Sequence, residues 1–201
     1  MQYSTFAAID IGSYDVILEI FEISKKQGIR SVDKICHRME LGKDTYTLGK
    51  IRPEMEEELC RVLADFVRIM EGYRVDDYRA TASSAISEAS NSLYVLGKIH
   101  QLTGLSVTVL SNSEQRFLSY KALAAMEDNF NKIIEKGTAI LDLDGGSFQI
   151  SLFDKDALVT TQNIRMGSLR IRERLAGIQS ETEHYEEMVE ELIWNEVSSF
   201  K

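Results

Sequence analysis

The feature that most constrains the fold is a strand–turn–strand pattern that occurs twice in the chain. Residues 8–21 read AIDIGSYDVILEIF, and residues 140–153 read ILDLDGGSFQISLF. In each segment an apolar run reaches an aspartate, Asp10 or Asp142, and small residues then lead into a second apolar run. Apolar runs rich in β-branched residues, joined by Gly and Ser, predict β-hairpins. We therefore expect a duplicated unit with one hairpin in each half of the chain.

The small residues of the two turns are the natural candidates for binding an anion. When the hairpins are laid over one another, Gly12-Ser13 faces Gly146-Ser147. Backbone N–H groups in such a turn can converge on an anion because no side chain prevents close approach. Carboxylates nearby would repel a bare phosphate, so Mg²⁺ is the natural mediator between the two. The alternative from spacing alone is an ordinary hairpin turn with no ligand.

The rest of the pattern predicts an α/β protein. A third strand is expected at 28–41, and shorter strands at 76–85 and 105–111. The clearest helix begins at Pro53 and ends with Gly72 as its C-cap. Further helices are expected at 86–104 with a break near Asn91, at 113–130 with Ser113 as N-cap, and at 180–200. A boundary near residue 125 gives an N-terminal domain at 1–124 and the start of a second at 125–201.

Composition bounds the partners and the compartment. The hydrophobic content of 44% and charged content of 27% are those of a globular protein. A net charge of −9 argues against non-specific binding to nucleic acid, although it allows a local site for an anionic ligand. Cys36 and Cys60 lack the spacing of a metal site or a disulfide framework. With no signal-like N-terminus and no apolar run of membrane-spanning length, we expect a cytoplasmic protein that binds neither nucleic acid nor membrane.

Five segments along the chain form an ordered set of motifs. They are AAIDIGSYD (7–15), TASSAISEASN (81–91), VLSNSEQRFLSY (109–120), ILDLDGGSFQI (140–150) and IRMGSLRIRER (164–174). In this order they resemble the N-terminal part of the exopolyphosphatase / guanosine pentaphosphate phosphohydrolase (Ppx/GppA) family, which belongs to the actin-like ATPase superfamily.

The resemblance implies two duplicated ribonuclease-H-like domains, each a mixed sheet with helices, the second incomplete here, with the active site in the cleft between them. It implies hydrolysis of the terminal phosphate of polyphosphate or guanosine pentaphosphate with Mg²⁺. Glu114 is the counterpart of the glutamate that activates water, and Asp10 and Asp142 would hold the metal. The phosphate-binding residues would be Gly12, Ser13, Asp144, Gly145, Gly146 and Ser147.

Several positions depart from the family pattern, and most of them weaken the expected binding of a polyanion. Ser87 and Phe117 stand where arginines are usual, and each arginine–phosphate contact contributes roughly 1.5–3 kcal/mol. Asp15 and Asp144 add negative charge beside the loops. The remaining departures are Tyr14, Gln115, Phe148 and Gln149, while Arg79, Arg116, Arg165 and Arg170 are the arginines that could restore positive charge.

These departures leave three functional hypotheses open. The chain is part of a phosphoanhydride hydrolase, or a degenerate member that binds a nucleotide, an alarmone or a protein partner without turnover, or a kinase-like ATPase. Loss of phosphate hydrolysis in Glu114→Ala would distinguish the hydrolase from the degenerate member, in which the substitution changes no turnover. The acidic helix expected at 180–200 suggests a homodimer contact or a contact with a further domain.

Overall fold

The computed structural model describes residues 3–127, 129–176 and 184–198. The chain divides into two compact units, one ending at Leu110 and one beginning at Ser111. The helix that the sequence analysis assigns to the first domain therefore groups with the second unit. The physical reason is its hydrogen bonding, because side chains of this helix contact the second hairpin, as described below.

The first unit is built on a mixed five-stranded sheet in the order β3-β2-β1-β4-β5. The first three strands pair antiparallel, whereas β4 pairs parallel with β1, and β5 pairs parallel with β4. This confirms the predicted hairpin and third strand. The strands are β1 (Ser4–Ile11), β2 (Asp15–Ser24), β3 (Gly28–Arg38), β4 (Asp77–Ala82) and β5 (Val107–Val109).

Four helices complete the described part of the first unit: α1 (Leu41–Leu48), α2 (Pro53–Tyr73), α3 (Ser84–Ser87) and α4 (Ser92–Thr103). Helix α2 begins at Pro53 as predicted. Proline suits this position because the N–H groups of a first helical turn have no acceptor within the helix. The predicted C-cap was wrong: Gly72 lies inside the helix, and Arg74, with φ of 53°, is the capping residue. Helix α1 was not predicted from the sequence.

The core of the first unit lies between β1 and α2. Ile9 and Ile11 of β1 are almost fully buried, as are Leu59, Leu63 and Phe66 of α2. These three α2 residues recur at helical spacing, so they lie on one face of the helix. Burying each such side chain contributes about 1.5–3 kcal/mol, so this face holds the sheet that presents the first loop.

A buried polar cluster explains why the predicted helix at 86–104 breaks near Asn91, as the structure confirms. The Asn91 side chain accepts from the Ile51 N–H at 3.0 Å and donates to the Ile51 carbonyl at 2.8 Å. It also donates to Glu56 Oε1 at 2.8 Å, and Lys98 Nζ lies 3.4 Å from Glu56 Oε2. Asn91 is the last residue of the 81–91 motif, and its role here is structural.

The second unit contains a three-stranded antiparallel sheet in the order β6-β7-β8. The predicted N-cap of its first helix was wrong, since Ser111 rather than Ser113 accepts the capping hydrogen bond. The elements are α5 (Asn112–Met126), α6 (Phe130–Ile134), β6 (Thr138–Leu143), β7 (Phe148–Asp154), β8 (Ala157–Ile164), α7 (Ser168–Leu175) and α8 (Tyr185–Val197).

Helix α8 covers the described part of the helix predicted at 180–200, whose first and last residues lie outside the described ranges. Leu192 and Val197 pack against a small core cluster of the second unit formed by Ile150, Ile164 and Met166. Part of the apolar side of α8 therefore packs within the second unit. Within the described residues, none of the helices combines the length and the apolar character needed to cross a membrane.

Burial of Cys60 makes a testable prediction about alkaline stability. Burial raises the pKa of the Cys60 thiol above its ordinary value, so the folded protein holds the thiol proton more tightly than the unfolded chain does. The free energy of unfolding should therefore fall as pH rises above about 8.5, the unfolded value. Cys60→Ala should show a shallower decline in urea unfolding between neutral and alkaline pH. Parallel curves for the two proteins would contradict this account.

Candidate functional site

The two hairpins present loops of the same length and hydrogen-bond register. Ile11 pairs with Val16 in the first, and Leu143 pairs with Phe148 in the second, so each loop has four residues. One residue further back, Asp10 and Asp142 both occupy the penultimate paired position of the leading strand. The aspartate pairing that the repeat predicted is therefore reproduced in three dimensions.

Both loops are closed by the same backbone hydrogen bond. The Gly12 N–H donates to the Asp15 carbonyl at 3.0 Å, and the Asp144 N–H donates to the Ser147 carbonyl at 3.0 Å. Gly12 is thus equivalent to Asp144, and Ser13 to Gly145. The sequence alignment of Gly12-Ser13 with Gly146-Ser147 was wrong by two positions. It matched the identical Gly-Ser residues, whereas the hydrogen-bond register pairs Gly12-Ser13 with Asp144-Gly145.

The duplication extends further than the sequence analysis predicted. Each third strand leads into a helix of eight residues, α1 or α7, preceded by an Arg-Met pair. The second residue of each helix donates its N–H to the second residue of the loop. These bonds run from Gly42 to the Ser13 carbonyl at 2.8 Å and from Leu169 to the Gly145 carbonyl at 3.1 Å. The repeated Arg-Met pair, at 38–39 and 165–166, is the sequence signal that could have shown this.

Asp144 turns its carboxylate back into the second loop. Its Oδ1 accepts from the N–H groups of Gly146 at 2.6 Å and Ser147 at 2.7 Å. Its Oδ2 accepts from Gln115 Nε2 on α5 at 3.3 Å. Two consecutive N–H groups that converge on one oxygen form the arrangement that binds anions in phosphate loops. In the second loop these two N–H groups therefore already bind an anionic oxygen, and the chain itself supplies it.

Besides Gln115, one arginine and one asparagine side chain contact the second loop. Arg170 Nε, on α7, donates to the Gly146 carbonyl at 3.0 Å, so this arginine lies at the second loop. Asn163 Nδ2 lies 3.3 Å from Ser147 Oγ. Arg116 contacts Thr161 Oγ1 at 2.9 Å and Ser113 Oγ at 3.0 Å instead. Arg79 and Arg165 are solvent-exposed residues of β4 and of the β8–α7 connection.

Gly167 lets α7 approach the second loop closely. A β-carbon built at this position would lie 2.3 Å from the backbone carbon of Gly145 and 2.4 Å from the Gly146 nitrogen. Atoms of the backbone cannot yield at such distances. The contact between α7 and the loop therefore requires glycine at position 167.

In the first loop, Ser13 is buried within a cluster of three hydroxyl groups. Its Oγ lies 2.6 Å from Tyr46 Oη on α1 and 3.3 Å from Ser84 Oγ on α3. Tyr46 Oη and Ser84 Oγ are 2.8 Å apart. The cluster ties the loop to the 81–91 motif, and it already uses the hydroxyl that the sequence analysis assigned to phosphate.

The two unusual residues of the first loop contact β3. Tyr14 lies under the guanidinium of Arg38, 4.3 Å from ring centroid to Cζ, and Arg38 also donates to the tyrosine hydroxyl. Arg38 is paired with Glu40 at 3.1 Å. Asp15 interacts with Cys36 of β3: desolvation and then the Asp15 carboxylate raise the pKa of the Cys36 thiol above its ordinary value. Both side chains are thus directed to the third strand.

The carboxylates predicted to hold metal lie at the strand ends, one in each unit. Asp10 is exposed, and Asp142 is partly buried with Oδ2 accepting from Ser119 Oγ at 3.0 Å. No cluster of three or more metal-ligating side chains occurs in the described part of either unit. Mg²⁺ needs only one or two protein carboxylates when phosphate oxygens and water complete its shell, so each aspartate fits the ion as a single ligand.

Glu114 lies in the first turn of α5, where its carboxylate caps the helix. Its Oε2 accepts from the Ser111 N–H at 2.9 Å and from Ser111 Oγ at 2.7 Å, which forms a capping box. The α5 side chain bonded to Asp144 in the second loop is its neighbour, Gln115. The sequence analysis named Gln115 only as a departure from the family pattern and gave it no role of its own.

The comparison with family models decides the wider relationship. The model of the Ppx/GppA phosphatase family matches residues 19–201. The chain belongs to the Ppx/GppA phosphatase family. The resemblance inferred from the five sequence segments is thereby confirmed.

Relatives within the Ppx/GppA family and near it are distant in sequence. The bifunctional 3-dehydroquinate synthase/phosphatase of Fusobacterium nucleatum is 22% identical over 174 residues, which cover 84% of this chain and 26% of that protein. Exopolyphosphatase 1 of Mycobacterium leprae is 25% identical over 144 residues, which cover 71% of this chain and 41% of that protein. The chain thus spans about a quarter to two fifths of these curated relatives.

Solved structures confirm the predicted fold class. The crystal structure of the Aquifex aeolicus Ppx/GppA family member matches with a TM-score of 0.73 and 24% identity, covering all of this chain and 63% of that one. The mixed α/β fold of this chain is therefore the fold of a solved Ppx/GppA family member.

Proposed function

We propose that this chain supplies the phosphate-recognising part of an exopolyphosphatase-type phosphohydrolase, which removes the terminal phosphate of polyphosphate or guanosine pentaphosphate. The observation that carries the proposal is the duplicated four-residue loop, closed by the same hydrogen bond behind Asp10 and Asp142. Backbone loops of this kind bind phosphate oxygens through N–H groups. Because the chain belongs to a phosphatase family, we infer that the reaction is hydrolysis of a phosphoanhydride.

In this proposal the residues of each loop divide the work. The backbone N–H group of Ser13 and those of Gly145 to Ser147 would bind phosphate oxygens, while the Gly12 N–H closes the first loop. Glu114 is the candidate base for the attacking water, and Arg170 stabilises negative charge near the second loop. An arginine there offsets part of the charge that the missing family arginines would have neutralised.

Asp10 in the first unit and Asp142 in the second would each offer Mg²⁺ a single carboxylate ligand, and the ion would neutralise charge on the phosphate chain when bound. Asp142 is supported in this by Ser119, whose hydroxyl fixes one carboxylate oxygen and leaves the other for a ligand. Orientation by a hydrogen-bonded neighbour is the usual way in which proteins hold a metal-binding carboxylate.

A second candidate function is binding of the same anions without turnover, and specific observations favour it. The Asp144 carboxylate binds the N–H groups of the second loop, and Gln115 holds it there. Gln149, buried opposite Asp142 in the hairpin, cannot serve as a base or a charged ligand. Glu114 already has a structural role as a cap.

A phosphate-release assay separates the two functions. We expect the purified protein to release phosphate from polyphosphate or guanosine pentaphosphate in the presence of Mg²⁺ and not in its absence. Glu114→Ala should reduce the rate about 100-fold or more, the usual contribution of a general base. Ser113→Ala, in the same helical turn, is the matched control and should leave the rate within about twofold.

The possible results assign the function unambiguously. Mg²⁺-dependent release that is lost in Glu114→Ala supports the hydrolase. No release, together with binding of tripolyphosphate in calorimetry, supports binding without turnover. Release from ATP alone contradicts both proposals and supports the kinase-like reading.

A further inference from the structure

The second loop contains an internal anion that nothing in its family relationship predicts. Resting on the proposed function, we propose that the Asp144 carboxylate is a built-in competitor of phosphate, which occupies the anion position of the second loop and sets its affinity. Asp144 is therefore a specificity-determining residue: a ligand enters this loop only by displacing its side chain.

The geometry of the loop carries this inference. Oδ1 of Asp144 lies 2.6 Å from the Gly146 nitrogen and 2.7 Å from the Ser147 nitrogen, distances typical of strong, charge-assisted hydrogen bonds. A phosphate oxygen that sought the same two donors would have to take the place of Oδ1. Two anions cannot share one pair of N–H groups, so binding becomes a direct exchange.

The first loop provides an internal comparison within the same chain. Its equivalent residue is Gly12, which has no side chain to fold back, although the loop has the same length and closing bond. A β-carbon at Gly12 would lie 2.9 Å from the Asp15 carbonyl oxygen. The duplicated loops therefore differ at one decisive position, and only the second contains its own carboxylate there.

Gln115 holds the Asp144 carboxylate in this position. Its Nε2 donates to the second oxygen of Asp144 at 3.3 Å, so both carboxylate oxygens are bound. A glutamate at position 115, the usual residue of the family segment, would bring a second negative charge to this distance. Like charges this close repel strongly in a partly buried site. The amide at 115 and the carboxylate at 144 are thus chemically matched to each other.

The test measures binding of inorganic tripolyphosphate to the full chain by calorimetry and by amide NMR shifts. Asp144→Gly should bind at least about tenfold more tightly than the native chain, because the competing carboxylate and its charge are gone. The new shifts should fall on the amides of Gly146 and Ser147. Asp144→Asn keeps the turn but removes the charge, so it should show a smaller gain and covers the case in which the glycine variant does not fold.

Asp156→Gly is the matched control. Asp156 lies in the β7–β8 turn of the same unit with φ of 61°, a conformation glycine adopts readily, and the substitution removes the same charge. Equal gains in tripolyphosphate affinity in Asp144→Gly and Asp156→Gly would overturn the proposal. So would amide shifts at Gly146 and Ser147 in the native chain as large as those in Asp144→Gly. Tighter binding without phosphate release in either protein would refute hydrolysis and leave this inference standing.

Discussion

Gly167→Ala should unfold the second unit or lower its free energy of unfolding by about 3 kcal/mol or more, the upper end of the cost of overpacking. The added methyl carbon would lie 2.3 Å from the backbone of Gly145 and 2.5 Å from the Asp144 carbonyl oxygen. Helix α7 would then have to leave the loop and break the bond from Leu169 to Gly145. Amide hydrogen exchange resolved along β6, β7 and β8 measures this loss.

The control for this variant is Gly97→Ala in the middle of α4. No atom lies within 4 Å of a β-carbon built there, and alanine is favoured over glycine inside a helix by about 0.5–1 kcal/mol. That substitution should leave the protein equally stable or more stable. Normal protection of the second sheet in Gly167→Ala would show that the approach of α7 to the loop is looser than described.

Glu56→Ala should destabilise the first unit by about 3 kcal/mol, at the lower end of the range for breaking a buried ion pair. Glu56 is 4% exposed and accepts from Asn91 and Lys98. Its removal takes the acceptor from one Nδ2–H group of Asn91 and from the partly buried Lys98 ammonium, while the Asn91 bond to the Ile51 carbonyl remains. Denaturant unfolding followed by hydrogen exchange in β1 and α2 measures the change.

Two neighbouring substitutions show whether the effect comes from the buried cluster. Glu56→Gln keeps an acceptor for Asn91 and should cost only about 1–2 kcal/mol. Glu57→Ala removes an equal charge from the exposed side of α2 and should change stability by less than about 0.5 kcal/mol. Similar losses in Glu56→Ala and Glu57→Ala would mean that the removal of negative charge near the N-terminus of α2, and not the cluster, decides the outcome.

Much of the architecture could be predicted because it depends on local patterns. Apolar runs joined by Gly and Ser predicted β1 and β2, and Pro53 as a first helical residue predicted α2. Helix α1 was missed because its sequence, LGKDTYTL, offers a single short turn of apolar residues, and its position depends on backbone bonds to the first loop.

The site was harder to predict, because its key contacts join residues distant in sequence. The motif alignment located both loops but displaced Gly12-Ser13 by two positions, since identical letters do not reveal hydrogen-bond register. Nothing in the string LDLDGGS shows that Asp144 bends back on its own turn, or that Gln115 reaches it from another helix. The assignments of phosphate, Mg²⁺ and a catalytic base stay predictions.

The most direct test of the account is an amide NMR titration of the native chain with tripolyphosphate and Mg²⁺. If both loops bind phosphate, the strongest amide shifts should fall on residues 12–15. Residues 145–147 should show weaker shifts, because the Asp144 carboxylate competes with phosphate in the second loop. Shifts confined to other basic segments, such as Lys25 and Lys26 in the exposed β2–β3 turn, would contradict it.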